Sequence, residues 1–135
     1  MHVGICPVRI SFAGGGTDLP EYYEDFGGCV VGTTINKFTY VTIHHRSDKT
    51  FQSFSPDFQK HYTTKNLKNI EIKDGTEIAS ATMKFLNYKK GLDIILYSDV
   101  PAGSGLGASS SLAINMINTL NSIEGKKFNS KKIAE

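Results

Sequence analysis

The run Pro101-Ala102-Gly103-Ser104-Gly105-Leu106-Gly107-Ala108-Ser109-Ser110-Ser111 decides how this chain is read. An apolar, strand-like segment, Leu92 to Tyr97, precedes it. Behind it, Leu112, Ala113, Met116, Ile117 and Leu120 recur at helical spacing, which predicts a helix over 108–124 ended by Gly125. The order is therefore strand, glycine loop, helix. Three glycines at alternate positions leave backbone N–H groups approachable, and the helix N-terminus behind them adds partial positive charge. The serines add hydroxyls for a phosphate oxygen or Mg²⁺. The pattern implies a nucleotide phosphate site; the alternative is a plain tight connection between strand and helix.

Three nucleotide motifs compete for this loop. A Walker A loop needs a lysine after its last glycine, and none is present. A dinucleotide fingerprint needs Gly-x-Gly-x-x-Gly and an acidic residue on the next strand. Here the spacing is Gly-x-Gly-x-Gly, and the nearest acidic candidate, Glu124, falls at a helix end. A protein-kinase glycine loop joins two strands near the start of a chain, whereas this loop leads into a helix.

Working outward, 135 residues suffice for one domain with a modest core, and 39% hydrophobic and 21% charged residues suit a globular protein. A formal net charge of +2 gives no electrostatic case for nucleic acid or a membrane surface. No apolar run is long enough to span a bilayer and the N-terminus lacks a signal-peptide pattern, which points to the cytoplasm. Cys6 and Cys29 read as buried small hydrophobes rather than a disulfide framework. The four histidines, His2, His44, His45 and His61, stand in no zinc-binding context, and one of His44 and His45 should face water.

Val3–Ala13 reads as a strand broken by Gly14-Gly15-Gly16. Leu19–Phe26 reads as a short helix capped by Thr17 or Asp18, with Pro20 in its first turn. Further strands are expected at Cys29–Ile35, Phe38–His45 and Thr50–Phe54. Residues 55–76 read as loops around a short strand at Ile70–Ile72. A helix over Ile78–Tyr88 is closed by Gly91. Ser130 caps a last helix over 130–135, so the chain looks like the front part of a longer protein; a frayed tail is the alternative.

A second stretch, Pro7-Val8-Arg9-Ile10-Ser11-Phe12-Ala13-Gly14-Gly15-Gly16-Thr17-Asp18, pairs with the glycine-serine loop. Together they resemble the motifs of the GHMP kinases: a Pro-x-Arg with a glycine-containing Thr-Asp turn, then Pro-x-x-x-Gly-Leu-Gly-Ser-Ser-Ala. The resemblance runs from Pro7 to Glu124. With Leu19-Pro20-Glu21-Tyr22-Tyr23 it is nearest to the sugar-kinase branch, and within it to kinases of D-glycero-D-manno-heptose 7-phosphate. Ala108 departs from the motif, standing where the family usually has its first serine. The family's third glycine-rich motif and its catalytic aspartate have no counterpart in these residues.

The resemblance implies an α+β fold of the ribosomal protein S5 domain 2-like type, with 1–135 as an incomplete ATP-binding N-terminal domain. It implies ATP and Mg²⁺ as cofactors and a small sugar or sugar phosphate as substrate. Gly103, Ser104, Gly105, Leu106, Gly107, Ala108, Ser109 and Ser110 would hold the nucleotide, with Ser109 also a Mg²⁺ ligand. Arg9 would stabilise charge on the transferring phosphate; its alternative role is a surface salt bridge. Gly15, Gly16, Thr17 and Asp18 would meet the sugar, Asp18 through its hydroxyls. Tyr22 and Tyr23 are expected to pack in the core. The competing hypothesis is a non-catalytic fragment that binds nucleotide weakly or self-associates through an exposed sheet edge and apolar helix faces. A dehydrogenase-like dinucleotide binder is a third.

Overall fold

The structure, a computed structural model, describes residues 1–125 and 128–134. Its elements are β1 (His2–Ala13), α1 (Pro20–Phe26), β2 (Val31–His45), β3 (Phe51–Ser55), a 3₁₀ turn (Pro56–Phe58), β4 (Lys60–Thr64), α2 (Glu77–Phe85), β5 (Leu92–Ser98), α3 (Ala108–Ile123) and α4 (Ser130–Ala134). The strands form one sheet in the order β1-β2-β5-β3-β4. β3 and β5 run parallel and the other neighbours antiparallel.

Two expected strands, Cys29–Ile35 and Phe38–His45, are one: β2 runs through from Val31 to His45. The break foreseen at Asn36-Lys37 is absorbed by an irregularity. Pro7 pairs with Phe38 and Arg9 with Thr34, so three residues of β2 face Val8 alone. A bulge of this kind bends the strand without ending it, and Pro7, which has no N–H to give a ladder, sits beside it.

β4 lies in a stretch expected to be loop. Its alternation is a single buried Tyr62 between exposed His61 and Thr63, and its polar exterior suits an edge strand. Ile70–Ile72 is not a strand. Ile70 is buried beside the core, and the Glu71 N–H donates to the Tyr62 hydroxyl at 3.0 Å.

The core fills one face of the sheet. Val41 and Ile43 of β2, Leu92, Ile94 and Leu96 of β5 and Phe51 of β3 point the same way and pack under α2 and α3, with Met83, Met116 and Leu120. α2 stops at Phe85, earlier than expected. Asn87 takes a left-handed φ of 48°, and the Tyr88 N–H turns back to the Met83 carbonyl. Gly91 is therefore not its cap; it is buried against the backbone of Asp48.

The buried face of α3 keeps Leu112, Met116 and Leu120 of the apolar stripe read from the sequence but is turned away from Ala113 and Ile117. Ser111, Asn115 and Thr119 are buried beside Leu112, Met116 and Leu120, whereas Ala113 and Ile117 are half-buried. The cause is β1. A side chain at Gly4 would collide with Thr119 and Asn115, so glycine lets the helix close onto the strand, where it meets backbone carbonyls that need donors.

The far end of the β1–β2 hairpin carries α1, none of whose residues is buried. Tyr22 and Tyr23 are each 45% exposed, so neither is core; Tyr22 instead leans on Phe26 with ring centroids 5.3 Å apart. Cys29 is exposed and Cys6 only half-buried, against the expectation of two buried thiols. His44 faces water. The α1 N-cap is Leu19, with no side-chain cap bond from Thr17 or Asp18. α4 is capped by Asn129, whose Oδ1 accepts the Lys132 N–H at 2.9 Å, rather than by Ser130. Of the expected last helix, Glu135 lies outside the described residues.

Candidate functional site

The segment between β5 and α3 is fixed at both ends. At its entry, Asp99 Oδ2 accepts the Phe38 N–H at 3.0 Å and the Tyr40 hydroxyl at 3.3 Å, and the Asp99 N–H donates to the Phe38 carbonyl. Tyr40 in turn has its pKa raised, chiefly by desolvation and then by the Asp99 charge. At the exit, Gly107 is the N-cap of α3 in left-handed conformation, φ 74° and ψ 23°. A glycine cap offers no side chain to the first turn, so the N–H groups of Ala108, Ser109 and Ser110 have no acceptor within the helix.

Gly103, Gly105 and Gly107 all have positive φ, 77°, 73° and 74°. Around Gly103 and Gly105 the space that a Cβ would enter is empty. The loop is thus an open cradle of backbone at a helix N-terminus, the arrangement that binds phosphate oxygens. Ser109 and Ser110 are exposed on the first turn, where hydroxyls can reach such a ligand. Ser111 points the other way, into the β1–β2 backbone.

Arg9 joins the loop from nearly a hundred residues away in sequence. Its N–H donates to the Leu106 carbonyl at 3.0 Å. Its side chain lies on Gly107, where a Cβ would come within 3.3 Å of Arg9 Cγ and 3.5 Å of Cζ. Arg9 is exposed and makes no ion pair among the described residues, so its guanidinium is available beside the cradle.

The Gly14–Asp18 loop closes on itself. Gly14 and Gly16 have φ of 80° and 92°, and a side chain on Gly14 would strike the Cys29 carbonyl. The Thr17 hydroxyl lies 2.8 Å from the Gly14 carbonyl and 3.2 Å from the Cys29 carbonyl, and accepts the Cys29 N–H at 3.1 Å. Thr17 is therefore spent on clasping the loop to the start of β2. Asp18 is exposed, and its Oδ1 accepts the Gly16 N–H at 3.0 Å. A cleft of about 370 Å³ lies here, lined by Thr17, Asp18, Tyr23, Gly28, Cys29 and Val30.

The structure brings Arg9 to the 103–107 loop; among the described residues no hydrogen bond or ion pair joins that loop to Gly14–Asp18. Arg9 and Gly14 are five residues apart along one strand, roughly 16 Å at ordinary strand rise. Glu124, the acidic candidate for a dinucleotide fingerprint, instead accepts the Tyr88 hydroxyl at 2.9 Å and the Lys90 ammonium at 2.8 Å at the end of α3. Asp99 went unnoticed in the sequence, although its position directly before the loop marks it as an anchor. Among the described residues there is no cluster of three or more His, Cys, Asp or Glu able to hold a metal, and no helix long and apolar enough to cross a membrane.

A mixed sheet backed by helices carries a glycine cradle at a helix N-terminus, and sequence comparison places that arrangement in one kinase family. The chain belongs to it: the family described as GHMP kinases N terminal domain matches residues 67–135. The chain is 36% identical over 118 residues to a D-glycero-alpha-D-manno-heptose 7-phosphate kinase of Campylobacter jejuni, covering 82% of this chain and 34% of that protein. It is 30% identical over 122 residues to a galactokinase of Streptococcus thermophilus, covering 84% and 30%. It thus spans about a third of the length of these curated relatives. In structure it resembles a D-glycero-D-manno-heptose 1-phosphate kinase from Bacteroides thetaiotaomicron, with a TM-score of 0.90, 24% identity, and coverage of 99% of this chain and 45% of that one. That likeness speaks for the α+β fold alone. A putative sugar kinase from Campylobacter jejuni superposes with a TM-score of 0.83 at 27% identity, over 98% and 42%. These named kinases are transferases.

Proposed function

We propose that this chain is the nucleotide-binding part of an ATP-dependent sugar kinase acting in the cytoplasm. Its acceptor would be a sugar phosphate such as D-glycero-D-manno-heptose 7-phosphate. The observation that carries the reading is the corner made by Arg9 and Gly107: a free guanidinium lies against an open backbone cradle at a helix N-terminus. Phosphoryl transfer asks for positioning and neutralisation of charge, and this corner offers both.

Gly103, Ser104, Gly105, Leu106, Gly107 and Ala108 hold the nucleotide phosphates through backbone N–H groups. Ser109 and Ser110 add hydroxyls from the first turn of α3, and Ser109 is the ligand this chain offers to Mg²⁺. That ion draws most of its shell from phosphate and water, so one hydroxyl is a fitting contribution. Bound MgATP supplies the phosphoryl group. Arg9 stabilises charge on it as it moves.

Gly15, Gly16 and Asp18 receive the sugar, with Thr17 shaping their loop. Tyr23, lining the same cleft, offers an aromatic edge to a sugar ring. The name of the heptose 7-phosphate kinase relative supports a phosphorylated heptose, and the small Gly15-Gly16 pair leaves room for one. Residues 1–135 alone do not turn over, because a general base and a third glycine motif are absent from them.

The test is titration calorimetry of a non-hydrolysable ATP analogue against the wild type and Gly105→Val. At φ 73° a valine is strained and its side chain fills the cradle. Affinity should fall at least about tenfold, a change of about 1.4 kcal/mol. A folded Gly105→Val with undiminished affinity makes the loop a connector.

A second reading has its own observation. Phe85 is 79% exposed, and it flanks a cleft of about 580 Å³ whose lining is mainly apolar, with Ala113, Ile114, Ile117, Phe128 and Ile133, and includes Ser110 and Lys132 at its polar parts. An apolar surface of this kind favours self-association of the chain. Sedimentation of residues 1–135 with and without Ile117→Lys separates that behaviour from nucleotide binding.

A further inference from the structure

We infer that Ser111 and Thr39 are positioning residues: their buried hydroxyl pair sets where Arg9 sits relative to the phosphate loop. The inference rests on the reading of the Arg9–Gly107 corner as the phosphate site. Thr39 is 0% exposed and Ser111 8%. Ser111 Oγ lies 2.9 Å from Thr39 Oγ1 and 3.1 Å from the Pro7 carbonyl. Thr39 Oγ1 lies 3.2 Å from the Cys6 carbonyl. Each hydroxyl has one proton to give and can accept another, so two protons are shared among these contacts and both hydroxyls donate within the group without water.

One turn further along α3, Asn115 repeats the arrangement. Its Nδ2 donates to the Gly4 carbonyl at 3.1 Å and the Thr39 carbonyl at 3.0 Å. The stitched acceptors on β1 are residues 4, 6 and 7, and Arg9 follows two residues later. On the helix side Ser111 stands four residues after Gly107, whose carbonyl accepts the Ser111 N–H at 2.9 Å. The clasp therefore joins the strand just before Arg9 to the helix just after the cradle.

The choice of polar groups here has a physical consequence. An apolar contact between strand and helix tolerates sliding, because dispersion is non-directional. Directional bonds in a dry interior do not, and a satisfied buried network specifies one arrangement. β1 needs that specification, since its register against β2 is already irregular between Pro7 and Arg9. Without the clasp, the strand that carries Arg9 has a bulge to slip through.

Two substitutions at Thr39 separate position from packing. Thr39→Val keeps the volume and removes the hydroxyl; Thr39→Ser keeps the hydroxyl and opens a cavity. The primary readout, on the 135-residue chain, is hydrogen exchange of the Arg9 amide, which reports its bond to the Leu106 carbonyl. The second is affinity for the magnesium complex of a non-hydrolysable ATP analogue. Thr39→Val and Ser111→Ala should each speed Arg9 exchange about fivefold to tenfold beyond any global change, the worth of one hydrogen bond, and weaken the analogue in parallel. Thr39→Ser should lower the melting temperature and leave both readouts at wild-type values. If Arg9 exchange follows global stability in all three variants, the pair is ordinary core and the inference fails. If exchange behaves as expected but the wild type binds no analogue, the clasp stands and the nucleotide reading falls.

Discussion

Two glycine loops of like composition end up with opposite mechanical support. Gly103, Gly105 and Gly107 close onto α3, whose underside includes Met116 at 0% and Leu120 at 1% exposure. Gly14, Gly15 and Gly16 close onto the tip of a hairpin where α1 buries nothing. The first loop inherits the stability of the whole core. The second is held by Thr17, through its three contacts with Gly14 and Cys29, and by Asp18, which accepts the Gly16 N–H. Local opening free energy follows the number of buried contacts that must break, so the two should open independently. The difference suits the proposed roles. A nucleotide phosphate presents the same oxygens in every cycle and rewards fixed donors, whereas a loop facing the variable substrate can be secured by two of its own side chains, Thr17 and Asp18.

The harshest test of this contrast is Met116→Ala. It removes a fully buried side chain beneath the phosphate loop and should cost about 2–5 kcal/mol in urea unfolding. The Ser111 amide, which donates to the Gly107 carbonyl at the exit of that loop, should lose protection by the full amount. Amides of residues 14–29 should hardly change. Equal losses in both segments would show one cooperative unit and end the comparison.

Next in size, on the sugar-kinase reading proposed above, are Arg9→Ala and Asp18→Ala in a kinase-active protein that contains these residues. Each removes a charged hydrogen-bonding group, worth about 1.5–3 kcal/mol where it meets a partner. Loss of Arg9 should lower kcat with little change in the KM for sugar. Loss of Asp18 should raise the KM for sugar and leave ATP binding near its wild-type value. Steady-state kinetics with each substrate varied in turn distinguish them. An Asp18→Ala enzyme equally impaired toward both substrates detaches the Gly14–Asp18 loop from the sugar.

The clasp itself gives a smaller effect. Thr17→Val keeps the shape and deletes the hydroxyl, and should raise the opening of residues 14–17 and 28–30 by about 0.5–1.5 kcal/mol. The Cys29 amide, which donates to that hydroxyl, should show the largest increase in hydrogen exchange. The melting temperature should stay within error, since no core contact is lost. A fall in melting temperature comparable to that of Met116→Ala would tie this loop to the core.

Much of this was legible in the chain because its signals were local. The strand-loop-helix order around Gly103–Gly107 follows from glycine spacing and helical periodicity, and the motif pair placed Arg9 at the same site. What the sequence hid depended on tertiary partners. Ser111, Asn115 and Thr119 recur at a spacing of four on α3, a stripe that reads as solvent-facing until β1 supplies carbonyl acceptors for Ser111 and Asn115, while the Thr119 hydroxyl donates to the Asn115 carbonyl. Tyr62 marks β4 only by alternation in a polar stretch, because an edge strand needs a single buried anchor. Tyr22 and Tyr23 read as core by residue type alone, and the hairpin tip gives them no core to enter.

The finest contrast lies in acid. The turn between β2 and β3 is tied as firmly as the phosphate loop. Arg46 Nε and Nη2 donate to the two oxygens of Asp48 at 2.7 and 3.0 Å, and the Thr50 N–H and hydroxyl add two more bonds. These bonds, Arg46 first and Thr50 after, hold the Asp48 carboxyl well below the usual carboxylate range. Its folded-state pKa is thus depressed, the native state binds fewer protons, and the stabilisation is complete above the unfolded value. It is lost as pH falls through the folded value. Asp57 runs the other way: burial raises its pKa, opposed by the Ser98 N–H that it accepts at 3.1 Å. Protonation of Asp57 therefore favours the native state and offsets part of the loss from Asp48. Urea midpoints measured from about pH 5 down to about pH 2.5, across the ordinary carboxylate range, should fall for the wild type and fall less steeply for Asp48→Asn. Asp57→Asn should steepen the same limb. If Asp48→Asn reproduces the wild-type slope, the Arg46–Asp48 turn is not part of the body's support, and acid stability must be sought elsewhere in the sheet.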